Sequence, residues 1–225
     1  MPSLKKTLYF LSSCLCCAGG VAMLGYGMSD VWSTTSVLCK SDNNTAGAGF
    51  VIMGLFSGVI ELETCPYIDT TRPIQVLEQV SGASMALQYI VLGLLVLALF
   101  GSAGSILITL YNSISNPYET YMGPMGLYVC SGCSVGLSFL ALIFYLCLVH
   151  LVDFAVQWIK ELAITGDFSD VKVVMHVGFY MVLPYMAVNL LAILLVYLYV
   201  HAAYTEKKAQ QKPTDDDQDD EGIMY

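Results

Sequence analysis

Eight cysteines and three histidines are the side chains here best suited to nucleophilic, redox or metal-binding work, and their spacing supports little of it. His150, His176 and His201 lie far apart in the chain, each near the end of an apolar run. No serine or cysteine has a predicted base beside it. Cys130-Ser131-Gly132-Cys133 has the C-x-x-C spacing of redox and metal sites. That spacing acts within a thioredoxin-like βαβ unit or beside a second ligand pair, and this one lies in a long apolar run with neither. No catalytic constellation, cofactor site or metal site is expected.

The covalent chemistry that remains is structural. Cys39 and Cys65 are the cysteines of residues 29–85. If that stretch lies outside the membrane, in an oxidising compartment, the two are expected to form a disulfide, the alternative being two unpaired thiols. Asn43-Asn44-Thr45 is a glycosylation sequon in the same stretch, so Asn43 is expected to carry a glycan. Cys14, Cys16 and Cys17 fall inside an apolar run. Membrane-proximal cysteines can be palmitoylated, but small buried side chains are the simpler reading. The chain ends Gly222-Ile223-Met224-Tyr225, and apolar Ile223 and Tyr225 suit strand addition to a PDZ-domain groove.

The elements that carry these residues are set by composition. Of the 225 residues, 56% are hydrophobic and 12% charged, whereas soluble domains have about a quarter charged. Four windows, 8–28, 86–110, 126–150 and 174–203, reach the ~20 residues that cross a hydrocarbon core. The expected fold is an all-α membrane protein, a four-transmembrane-helix bundle. Lys5 and Lys6 precede the first window and Lys207, Lys208 and Lys212 follow the last, while the first and third connections hold only Lys40 with Arg72 and Lys160 with Lys172. The basic excess puts both termini in the cytosol, with outer loops at 29–85 and 151–173. A cleaved signal peptide is a rival for the first window, but its apolar run exceeds the usual core of about 7–15 residues.

The net charge of −9 is mostly local, because six of the eighteen acidic residues lie between Asp215 and Glu221. Residues 204–225 are expected to form a disordered acidic cytosolic tail. Nothing basic enough for nucleic acid is present. Residues 1–203 form one tetraspan domain on this reading.

Within the first outer loop, residues 31–39, 50–56 and 59–65 read as strands. Ile60 and Leu62 alternate with Glu61 and Glu63, the period of a half-buried strand. A small extracellular antiparallel sheet follows. After Thr70-Thr71-Arg72-Pro73 the spacing of Ile74, Leu77 and Val80 predicts a helix leading into the second span. The third helix is expected to continue past His150 through Trp158 to Gly166. Asp167–Asp170 should cap the fourth span, which Pro184, close to Asn189, should kink. Gly19, Gly20, Gly25 and Gly27, then Gly101, Gly104 and Ser105, then Gly132 and Gly136, are expected at helix contacts, where small residues let helices approach.

Between the second and third windows lies YNSISNPYETYMGPMGLY, residues 111–128, a charge-poor turn in which two X-Pro pairs end and begin helices. Its residues Asn116, Pro117, Thr120, Gly123, Pro124, Gly126 and Tyr128 resemble the inner hairpin of the clarin family of tetraspan membrane proteins. MPS with a nearby lysine pair, VLCK at 37–40, GLF at 54–56 and the apolar C-terminus match that family in order, and LYFLSS at 8–13 points to one branch of it. Clarins are similar in layout to claudin-like tetraspans, whose first outer loop has a Trp, then Gly-Leu-Trp, then two cysteines. Trp32 and Gly54-Leu55-Phe56 stand in the matching places. Phe56 replaces the second Trp and Cys39 precedes the Gly-Leu pair, departures that weaken any claim to paracellular sealing.

The resemblance implies a non-enzymatic plasma-membrane protein, an organiser or adaptor working through contacts with other membrane proteins. An auxiliary channel subunit is the alternative, and a claudin-like junction component a third. The lipid bilayer and other membrane proteins are the expected partners, with a PDZ-domain protein at the tail.

Overall fold

Lipid-crossing helices must satisfy every backbone polar group within themselves, so the four apolar runs fold as long helices. In the computed structural model, which describes residues 4–40, 46–63, 70–76, 82–114, 123–150 and 167–210, they are α1 (Leu4–Ser29), α2 (Ala83–Ile114), α3 (Pro124–His150) and, after the single turn α4 (Val177–Tyr180), α5 (Val182–Gln210). By length and composition all four can cross a membrane. Each packs on two others in the cyclic order α1, α2, α3, α5. Their outward faces carry exposed apolar side chains such as Phe100, Leu107, Val129, Phe139, Leu190 and Leu194, as a helix facing lipid should.

One end of the bundle holds both chain ends of the described helices, where Phe10, Leu127 and Val196 form a small core. The other end holds a five-stranded antiparallel sheet. Its strands are β1 (Val31–Lys40), β2 (Ala46–Gly54), β3 (Ser57–Glu63), β4 (Thr70–Gln75) and β5 (Asp167–Met175), in the order β4-β3-β2-β1-β5. Alternation sorts the strands into two faces. Ser33, Thr35 and Val37 of β1, Val51 and Met53 of β2 and Ile60 of β3 point inward into one apolar core with Leu95, Tyr145, Leu148 and Tyr185 of the helices.

The first three strands overlap the expected 31–39, 50–56 and 59–65, with β2 ending at Gly54 so that Leu55 and Phe56 form the turn, and two other expectations are overturned. Thr70–Gln75 is the edge strand β4, so Ile74 lies in a strand and helix begins no earlier than Val76. Pro73 pairs with Val59 in the edge strand, where its missing donor costs no ladder bond. Immediately afterwards the Val76 N–H donates to the Phe56 carbonyl at 3.1 Å. Leu77 and Val80 lie outside the described residues.

Asp167–Asp170 belong to strand β5, not to a helix cap, so the sheet takes a strand from the second connection as well as the first. The register between β1 and β5 slips between Ser36 and Leu38. Asp170 takes up the extra residue with φ 58°, a left-handed conformation that Asp tolerates better than most residues. The fourth span consequently begins at Val177, not at 174. Its interruption is at Met181, three residues before Pro184. Pro184 has no N–H to donate to the carbonyl of residue 180, and its ring crowds that carbonyl, so the helix is interrupted there for one residue. At the far end α5 continues beyond Tyr204 to Gln210, into the stretch expected to be disordered.

Of the glycines expected at contacts, Gly20, Gly27, Gly101 and Gly104 are at them, whereas a Cβ on Gly19, Gly25, Gly132 or Gly136 would meet nothing within 4 Å. The Gly132/Gly136 pair therefore faces away from the bundle. Spacing identifies a helix face but not its direction.

Candidate functional site: the junction of sheet and bundle

Trp32 is the hub of the junction, and chain order explains its position. It follows α1 by three residues, so β1 leaves the bundle with the indole still among the helices. Its Nε1–H donates to the Gly27 carbonyl at 2.7 Å, and its own carbonyl accepts from the His176 N–H at 2.9 Å. The ring lies edge-on to Tyr145 of α3, with centroids 4.8 Å apart, and edge-on to Phe179 of α4 at 6.1 Å. Next to it, Ser33 Oγ and the Tyr145 hydroxyl are 2.8 Å apart. Buried aromatics with satisfied polar tips combine large apolar contact with fixed orientation. A Cβ on Gly178 would meet Trp32 Cδ1 at 2.5 Å and the carbonyls of Val31 and Gly27 at 2.7 and 2.8 Å. Only glycine allows α4 to lie this close.

A second attachment joins α2 to the turn between β2 and β3. Gln88 Nε2 donates to the Leu55 carbonyl at 2.8 Å. Leu55 is fully buried and Phe56, its neighbour, is 43% exposed. In Gly54-Leu55-Phe56 the leucine is thus the inward anchor and the phenylalanine a surface residue. A Cβ on Gly54 would stand 3.1 Å from the Ser57 carbonyl and 3.3 Å from that of Asp30.

Deeper in the bundle runs a polar seam. Ser102 Oγ lies 2.7 Å from the Tyr185 hydroxyl and 3.3 Å from Asn189 Oδ1. The Tyr185 hydroxyl and Ser134 Oγ each donate to the Ala98 carbonyl at 3.0 Å. Ser105 and Ser131 hydroxyls pair at 2.8 Å, and Ser13 Oγ donates to the Ala192 carbonyl at 3.2 Å. Asn189 also donates to the Tyr185 carbonyl at 3.0 Å and is fully buried, so it closes the packing. A Cβ on Gly101 would collide with the Ser134 hydroxyl, which is why that glycine is at the α2–α3 contact. Hydroxyls bonded to carbonyls and to one another hold helices together. Among the described residues none of them is hydrogen-bonded to a base that could activate it.

The remaining expected sites distribute as follows. Cys39 stands in β1 opposite Gly47 and Phe168; its side chain and all of Cys65, Asn43, Asn116, Pro117, Thr120, Ile223 and Tyr225 lie outside the description. Pro124 is the first residue of α3, and the Gly126 N–H donates to the Gly123 carbonyl at 3.0 Å. Tyr128 packs against the core formed by Phe10, Leu127 and Val196. Cys17 is fully buried, Cys14 and Cys16 are half-buried, and Cys133 is exposed. Among the described residues no three His, Cys, Asp or Glu side chains gather as a metal site would require.

Sequence reasoning singled out Trp32, Leu55, Ser105 and Asn189 but missed Ser33–Tyr145 and most of the seam. A signal was there. Ser102, Ser105 and Thr109, and Ser131, Ser134 and Ser138, recur at the three- and four-residue steps of one helix face.

No family model matches the chain. Individual relatives do. Clarin-3 of mouse (Mus musculus) is 31% identical over 222 residues, 96% of each chain, and Clarin-3 of Homo sapiens is 28% identical over 215 residues, 95% of each. Clarin-3 of rat (Rattus norvegicus) is 34% identical over 147 residues, covering 64% of this chain. With four apolar helices, a small antiparallel sheet and end-to-end similarity to these relatives, the chain belongs to the clarin family of multi-pass membrane proteins.

Proposed function

We propose that this protein is a non-enzymatic membrane organiser or adaptor at the plasma membrane, working through contacts of its extracellular sheet with other membrane proteins. The observation that supports this most is the outward side of the sheet. Its inward side is consumed in the junction, yet Leu38 and Val174, which alternate with the buried positions of their strands, are exposed on the other, and Phe56 is exposed at the turn between β2 and β3. Apolar side chains held on a rigid sheet outside the membrane suit protein contact. In this reading both termini are cytosolic, Cys39 and Cys65 form a disulfide, Asn43 carries a glycan, and Ile223 and Tyr225 offer a PDZ ligand. The half-buried Cys14 and Cys16 are the better candidates for palmitoylation, since Cys17 is fully buried.

Proximity labelling in intact cells tests the reading. Phe56→Asp with Val174→Asp should remove a discrete set of extracellular neighbours while surface delivery is unchanged. Deleting residues 223–225 should remove a separate, cytosolic set. Unchanged neighbours for the sheet variant would sink the proposal, and unchanged neighbours for the deletion would remove the tail from it.

A further inference from the structure

We propose that the outward face of the sheet docks a second copy of this chain in the same membrane, face to face, about a two-fold axis that runs between β1 and β2. The inference rests on the organiser reading and names its partner.

Followed sideways through the pairings, the outward positions fall into rows. One row runs from β5 to β4 as Val174, Thr34, Ile52, Val59 and Pro73. It is apolar apart from one hydroxyl, and Val174 is 57% exposed. The next row runs Lys172, Ser36, Phe50, Glu61 and Thr71. It carries a cation on β5 and an anion on β3, both exposed and neither paired with a described residue. The two charges lie on either side of the β1–β2 seam at equal strand distance.

Two copies sharing a membrane share its normal, so a two-fold axis relating them runs along that normal. β1 leaves the bundle directly from α1, with Trp32 and Ser33 on the helices and Leu38 to Lys40 beyond them. The rows therefore succeed one another away from the membrane, and the axis keeps each row opposite its own counterpart in reversed strand order. Placed between β1 and β2, it sets Lys172 against the second copy's Glu61, twice over, and Val174 against the second copy's Val59. Facing sheets pack about 10 Å apart, within reach of apposed side chains. A copy on an opposing membrane would reverse the order of the rows instead and lose both matches. Charge complementarity of a face with itself, under the one symmetry the membrane permits, is the argument for a second copy over an unrelated partner.

The test uses the full chain, purified and reconstituted in phosphatidylcholine vesicles. Val174→Cys and Val59→Cys chains, mixed, should be joined by a short membrane-impermeant bis-maleimide. Val174→Cys chains alone should not be, because the axis leaves their thiols about 14 Å apart, three strand spacings. Lys172→Glu or Glu61→Lys should each lower the cross-linked yield about tenfold by opposing like charges. The double swap should restore it to within about twofold of the parent. Equal yields from the mixed and the single-cysteine samples, no cross-linking in the pure chain, or no rescue by the double swap would each overturn self-docking. If self-docking fails while the Phe56/Val174 variant still loses neighbours in cells, the organiser reading stands with a different partner.

Discussion

Ser33 Oγ of β1 and the Tyr145 hydroxyl of α3 lie 2.8 Å apart across a separation of 112 residues, both fully buried. The pair fastens the sheet to the bundle where Trp32 already packs edge-on against the same tyrosine ring. Ring and hydroxyl contribute separately. Tyr145→Phe keeps the ring contacts but leaves the Ser33 hydroxyl unpaired, an expected loss of about 1–2 kcal/mol. Tyr145→Ala removes the ring as well and opens a cavity, an expected loss of about 3–5 kcal/mol. Thermal unfolding in mild detergent checks both, and equal losses would mean that the ring packing contributes nothing.

Gly178 and Gly132 should respond in opposite ways to the same change. A methyl on Gly178 meets Trp32 and two carbonyls at 2.5–2.8 Å, while one on Gly132 meets nothing within 4 Å. Backbone carbonyls cannot move aside as a flexible side chain can, so Gly178→Ala should destabilise by at least ~2 kcal/mol through overpacking. Gly132→Ala should be neutral or slightly stabilising, since alanine is the better helix former by about 0.8–1 kcal/mol in water. Unfolding midpoints measured side by side would show the contrast, and similar shifts would refute the placement of α4 against Trp32.

The polar seam predicts coupling between helices, not activity. Ser102→Ala and Asn189→Leu each cut bonds joining α2 and α5. Interhelical hydrogen bonds in membranes average about 0.6 kcal/mol, so each single change should be mild. The double variant should cost less than the sum of the singles, because both remove the shared Ser102–Asn189 bond. Strict additivity in unfolding free energy would place the two residues in separate networks.

How much of this was legible in the sequence depends on the range of the signal. The four spans needed only long apolar runs, and β1 to β3 needed only local strand-forming composition, with alternation in the third. β5 was hidden because Asp167–Asp170 resembles a helix cap locally, and its strand character comes from pairing with β1, more than 120 residues earlier. β4 was hidden for a related reason: Pro73 reads as a helix start unless an edge strand is available for it. Asn189 could be singled out as a polar residue in an apolar helix, but its partner Ser102 is on another helix. Gly101 and Gly132 look alike in sequence, and only the packing of α2 on α3 distinguishes the buried one from the outward-facing one.

The expected bond between Cys39 and Cys65 now has a geometric requirement. β1 and β3 run in the same direction on either side of β2, since Ala48 of β2 pairs with Leu38 on one side and Glu63 on the other. Cys39 is one residue beyond Leu38, at the end of β1 farthest from the bundle, and Cys65 follows the last residue of β3, Glu63, by two positions in the sequence. Two strand spacings, about 9.6 Å, separate those columns, more than the ~7 Å between Cα atoms that a disulfide tolerates. A bond therefore requires the chain after Glu63 to cross the end of β2. It would then tie off the 46–63 hairpin and limit fraying at the sheet tip. Closing a loop of this size should stabilise the protein by roughly 2–4 kcal/mol. Reduction should shift gel mobility, the shift should be absent from a Cys39→Ser, Cys65→Ser double variant, and that variant should unfold at lower temperature. A mobility shift that persists in the double variant would assign the bond to other cysteines, and the crossing would not be needed.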